Sequence, residues 1–217
     1  LPVDDILDEL ARSLQKSSSA ILHAPPGSGK TTRVPLALLT ASWLTGRRIL
    51  MLEPRRLAAS NAARYMASLR QEAVGKTVGY SIRYERKVSF ATRVEVMTEG
   101  LLTRRLQSDP ELNGVGLVIF DEFHERSQHA DLALALCRDI QQGLREDLRL
   151  LIMSATLECG PLAQLLGDCP VITAAGRSFP VEIRYLSQDP SGPLAESTAQ
   201  GIRQALQEAV GVGLAFL

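Results

Sequence analysis

The chain has 217 residues, enough to bury one sizeable core or one core and a fragment of another, and its 24 basic residues balance 24 acidic ones. That balance excludes a global field drawing the chain to nucleic acid, so any polyanion contact must come from local clusters. No apolar stretch approaches the ~20 residues of a membrane span, no basic-then-apolar leader opens the chain, and Cys137, Cys159 and Cys169 contain no Cys-x-x-Cys pair, so neither a zinc site nor a disulfide framework is expected.

A soluble, cytoplasmic protein with buried thiols is the expectation, and the start at Leu1 suggests a processed piece. Val3, Ile6, Leu7, Leu10 and Leu14 recur at helical spacing with Asp4, Asp5, Asp8 and Glu9 among them, which predicts an amphipathic helix over 3–16. After the polar break Lys16 to Ser19, the run Ala20-Ile21-Leu22 predicts a strand, and Thr32 to Leu44 a helix.

Between them stands Ala24-Pro25-Pro26-Gly27-Ser28-Gly29-Lys30-Thr31, followed by Thr32. Strand, glycine-rich loop and helix in this order form a P-loop, although its first position is Ala24 rather than Gly. Glycines let the backbone approach a polyphosphate closely, and the helix start adds free N–H groups and the positive end of its dipole. Lys30 is expected on the outer phosphates and the Thr31 hydroxyl on a magnesium ion bridging them.

Thr45-Gly46-Arg47 turns the chain into Ile49 to Leu52, a short apolar run of the kind a strand buried on both faces needs. A helix from about Arg55 to Gln71, strands Val78 to Ile82 and Arg93 to Met97, a helix from Glu99 to Gln107 and the strand Leu117 to Phe120 follow. The last of these ends at Asp121-Glu122, where Asp121 suits a magnesium ion and Glu122 suits an attacking water, with a share in the metal's shell.

A helix over His129 to Leu144 is expected to bury Leu132, Leu136, Cys137, Ile140 and Leu144, and Leu150 to Met153 to form a further strand. Apolar strands alternating with amphipathic helices predict an α/β fold, a mostly parallel sheet covered on both faces, with ligands at the carboxyl ends of its strands. Beyond Pro180 the pattern changes: Val181 to Leu186 alternates loosely, Leu194 to Val210 reads as a helix, and Leu214 to Leu217 as the opening strand of a second domain.

Several motifs in order carry a family resemblance: the P-loop, Pro54-Arg55-Arg56-Leu57-Ala58-Ala59, Gly79-Tyr80-Ser81-Ile82-Arg83, Thr98-Glu99-Gly100-Leu101-Leu102, Asp121-Glu122-Phe123-His124-Glu125-Arg126, Ser154-Ala155-Thr156 and Gly176 to Pro180. Across about residues 20–186 the chain resembles the first RecA-like P-loop domain of superfamily 2 helicases of the DEAH/RHA group, most closely the bacterial HrpB-type branch.

The resemblance implies ATP and magnesium as cofactors, with His124 beside Asp121 and Glu122 in the catalytic set. It also implies that Arg55, Arg56, Arg83, Thr98, Glu99 and Gly100 contact a single nucleic-acid strand, RNA rather than DNA, and that Ser154, Ala155 and Thr156 couple nucleotide state to domain movement. Residues 1–186 are then the first motor domain and 187–217 a linker, helix and first strand of the second. In the family an arginine stacks on adenine where Tyr65 falls here, beside Arg64, and the arginine-rich motif completing hydrolysis belongs to the second domain. A Ras-type GTPase would need an Asn-Lys-x-Asp motif, which is absent. No residue in the sequence is identified as reading the 2′-hydroxyl, so RNA rests on the resemblance alone.

Overall fold

The computed structural model describes residues 1–155, 159–176 and 193–208. Its strands are β1 (Ser19–His23), β2 (Arg48–Glu53), β3 (Val78–Ile82), β4 (Glu85–Lys87), β5 (Val94–Thr98), β6 (Val115–Phe120), β7 (Arg149–Ser154) and β8 (Val171–Thr173). They form one sheet in the order β4-β3-β5-β2-β6-β7-β1-β8, parallel except for the antiparallel pair β3 and β4.

The apolar runs occupy the middle of this sheet because both of its faces are covered. Side chains alternate across a strand, so a strand buried on both sides must be apolar throughout. One core collects Ala20, Leu22, Ile49, Met51, Leu117, Ile119, Leu151 and Met153 under helices α1 (Leu7–Lys16), α2 (Lys30–Leu38) and α3 (Arg56–Leu69). The other collects Ile21, Leu50, Leu52, Val118, Phe120, Leu150 and Ile152 under α4 (Glu99–Ser108) and α5 (Gln128–Gly143), with α6 (Gly160–Leu165) against its margin.

Several local expectations are corrected. The first predicted helix opens as a 3-10 turn, Pro2–Ile6, and α2 begins at Lys30 and stops at Leu38, with a separate 3-10 turn at Ser42–Leu44. On α5 the buried residues are Ala130, Ala133, Leu134, Cys137, Ile140 and Gln141, while Leu132, Leu136 and Leu144 are exposed. Small alanines let this helix come close to the sheet. Gln141 is tolerated inside because its amide donates to the Ser18 and Leu148 carbonyls (2.9 and 2.8 Å) and its oxygen accepts from Arg138 (2.7 Å). The short elements β4, β8 and α6 add to the predicted set.

Residues Leu1–Arg177 form one compact unit. In the second unit, Ser178–Leu217, the described element is α7 (Leu194–Glu208), where the sequence predicted a helix. The expected segments Val181 to Leu186 and Leu214 to Leu217 lie outside the described residues. Among the described residues no helix is long and apolar enough to cross a membrane.

Candidate active site

Because β1, β2, β3, β5, β6 and β7 run parallel, the segments that follow them emerge at one edge. The loop after β1 begins with buried Ala24, whose N–H donates to the Ser154 carbonyl at the end of β7 (2.9 Å). Gly27 and Gly29 take φ 76° and 92°, the left-handed region open to glycine, and a Cβ on Gly29 would meet the Leu1 side chain at 2.6 Å. Pro25 packs near Gly176, and Pro26 is exposed.

Ser28 is 1% exposed, yet its hydroxyl has no partner among the described residues. A phosphate oxygen in the cradle would satisfy it. No side chain caps the start of α2, the arrangement of a helix end that receives a ligand, while the Thr32 N–H in that first turn donates to the Gly29 carbonyl (3.2 Å).

Lys30, 3% exposed, extends toward the end of β6, where its Nζ lies 2.9 Å from Glu122 Oε1. The Thr31 hydroxyl donates to Asp121 Oδ2 (2.5 Å), and Asp121 Oδ1 accepts from the Glu122 N–H (2.8 Å). Glu122 stands at φ 48°, a left-handed turn that swings its carboxylate off the strand. His124 Nδ1 accepts from the Ala155 N–H (3.3 Å). The same nitrogen lies 3.4 Å from Glu122 Oε2. The Ser154-Ala155 end of β7 thus touches both the phosphate loop and the acidic motif, while Thr156 lies outside the described residues.

Sequence reasoning missed Glu53. It ends β2 beside Asp121, is 3% exposed, and its carboxyl is pushed up to about 9, first by burial and then by the negative charge of Asp121. Asp121 is raised too, chiefly by burial. The available signal was the one used for Asp121: an acid closing a buried apolar strand.

The expected strand-binding residues sit on the other half of the edge, at the ends of the neighbouring strands β3, β5 and β2. Arg55 and Arg56 are exposed, and Arg55 Nη2 lies 3.1 Å from both oxygens of Glu125. Arg83 is exposed, Thr98 half-buried and Gly100 open to solvent. Glu99 turns inward instead: its carboxylate accepts from the Ser127 hydroxyl, and that oxygen caps α5 by accepting from the Ala130 N–H (2.9 Å). Tyr65 is exposed, whereas Arg64 donates to the buried Tyr80 hydroxyl (2.9 Å).

A glycine cradle at the end of β1 facing paired acids at the end of β6, on a mainly parallel sheet layered by helices, defines a RecA-like P-loop nucleoside triphosphatase domain. Residues 6–165 match the DEAD/DEAH box helicase family, and the chain belongs to it. It is 52% identical over its full 217 residues to the ATP-dependent RNA helicase HrpB of Escherichia coli (strain K12), covering 27% of that protein. It is 37% identical over 222 residues, 95% of this chain and 16% of that protein, to the Mus musculus protein DHX57. The crystal structure of Escherichia coli DEAH/RHA helicase HrpB matches with TM-score 0.88 at 51% identity, over 97% of this chain and 27% of that one. The chain thus spans about a quarter of the HrpB length.

Proposed function

We propose that this chain is the N-terminal motor lobe of an ATP-dependent helicase acting on RNA in the cytoplasm. It would bind magnesium-ATP on the β1, β7 and β6 half of the sheet edge and a single-stranded backbone on the β2, β5 and β3 half. Residues 1–186 serve as the first RecA-like domain and 187–217 as the opening of the second. The observation that carries the reading is the meeting of Lys30 with Glu122 (2.9 Å) and of Thr31 with Asp121 (2.5 Å) across two strands.

In this reading the loop amides, the Ser28 hydroxyl and Lys30 hold the phosphates. Thr31 and Asp121 hold magnesium, which supplies charge neutralisation of the transferred phosphoryl group. Few protein ligands are needed, since magnesium keeps waters and takes phosphate oxygens. Glu122 orients and deprotonates the attacking water. His124 carries the state of that site to Ser154, Ala155 and Thr156, and Tyr65 stands where the adenine would stack. Arg55, Arg56, Arg83, Thr98 and the amide of Gly100 take the strand's phosphates, with Glu99 fixing the turn from behind.

The arginines that complete hydrolysis belong to the second lobe in this reading, and fingers of that kind are worth about 10³ to 10⁵ in rate. The test is steady-state ATP hydrolysis, with and without single-stranded RNA, by this chain and by a form extended through the whole second domain. Low turnover by the chain and RNA-stimulated turnover by the longer form are expected. Brisk, RNA-indifferent turnover by the chain alone would show a complete catalytic set and would favour another type of P-loop enzyme.

A further inference from the structure

The turn joining β3 to β4 presents residues that the core does not use. Tyr84 takes φ 72°, a left-handed conformation that bulky side chains rarely adopt and that persists where the surroundings impose it. No burial compensates, since Tyr84 is 87% exposed. The Arg83 guanidinium carbon lies 4.9 Å from the ring centroid, which covers one face with a cation and leaves the other to solvent.

The charge around this ring is one-sided. Arg83, Arg86 and Lys87 face a single acid, Glu85, within the hairpin. Glu85 is already engaged by the Tyr80 hydroxyl (2.6 Å) and Lys87 (3.4 Å), whereas among the described residues no carboxylate pairs with Arg83 or Arg86. The ring also stands at the carboxyl edge of β3, two strand positions from the Arg55 end of β2, which is roughly 10 Å at ordinary strand spacing.

We propose that Tyr84 is a stacking platform for one nucleobase of a bound single strand, with the base on the ring's open face and Arg83 behind it, while Arg83 and Arg86 neutralise the flanking phosphates. An aromatic ring set among unpaired cations suits a ligand that carries flat π-faces on an anionic backbone. The site accepts any base, because every base offers such a face. This rests on the reading that a strand's backbone crosses the ends of β2, β5 and β3, and adds a base contact to it.

The test compares two ligands by fluorescence anisotropy: labelled single-stranded oligoadenylate and an abasic ribose-phosphate strand of the same length. Tyr84→Ala should weaken oligoadenylate binding by roughly 5- to 100-fold. It should leave abasic-strand binding and the salt slope unaltered. Tyr84→Trp should retain the affinity, and Arg83→Ala should instead lower the salt slope by about one phosphate contact. Equal binding of oligoadenylate by Tyr84→Ala and the unaltered chain overturns the proposal. So does an equal loss on both ligands, which would assign Tyr84 to the backbone path or to a covering protein surface. Failure of the unaltered chain to bind either strand removes the nucleic-acid reading itself, and is seen before any variant is made.

Discussion

Lys30 concentrates the chemistry of the site in one side chain. An ammonium that is 3% exposed must have a counter-charge, and Glu122 supplies it at 2.9 Å in a position where nucleotide phosphates would compete for the same cation. Charge-assisted bonds of this kind contribute about 1.5–3 kcal/mol. Lys30→Ala should therefore weaken magnesium-ATP binding by about 10- to 100-fold in a calorimetric titration. Unchanged affinity would mean the phosphates lie elsewhere.

Glu53 makes a second prediction at this scale. Its folded pKa of about 9 lies above its ordinary 4.5, so the unfolded chain releases this proton long before the folded one does. Between those values the folded state binds more protons, and stability falls as pH rises. Glu53→Gln should remove that contribution: chemical denaturation without nucleotide should show the variant gaining on the unaltered chain as pH rises from about 4.5 toward 9. A gap that does not change with pH would place the Glu53 proton elsewhere.

At the scale of elements, α5 and α4 are joined through Ser127. Its hydroxyl caps α5 through Ala130 and also meets the carboxylate of Glu99 in the first turn of α4. Ser127→Ala removes the cap, at about 0.5–2 kcal/mol, and leaves the buried Glu99 carboxylate without that partner. Urea unfolding should show a loss at the upper end of that range or beyond, while Ser127→Thr, which keeps the hydroxyl, should recover most of it. Elements were legible in the sequence where burial on both sides left a continuous apolar run, as in β2, β6 and β7. The buried face of α5 was legible only in part: Cys137 and Ile140 lie on it as expected, but alanines pack the rest against the sheet, and Leu132, Leu136 and Leu144 are exposed. The edge strands β4 and β8 carry too little apolar pattern to stand out.

At the scale of the molecule, a ligand that binds only the folded domain stabilises all of it. At a free magnesium-ATP concentration of 100 times Kd the gain is about 2.7 kcal/mol. For a domain of this size that should raise Tm by roughly 5–10 °C. Lys30→Ala, binding about 10- to 100-fold more weakly, should cut the gain to about 0.4–1.4 kcal/mol at the same nucleotide concentration, and an undiminished shift would point to a nucleotide site away from the P-loop.

What the sequence determined alone was local. The glycine cradle from Ala24 to Thr31, the acids closing β6 and the apolar period of each buried strand or helix all lie within a short stretch of chain, where periodicity and backbone freedom act directly. The tertiary structure decided adjacency. Strand order β3-β5-β2-β6-β7-β1 divides one edge into a phosphate half and a cationic half, brings Glu53 against Asp121, sets Glu125 on Arg55 and turns Glu99 inward to Ser127. Those contacts join residues dozens of positions apart, and their partners are chosen by how crossovers pack helices on the sheet, a property of the whole buried core that no short stretch of chain carries.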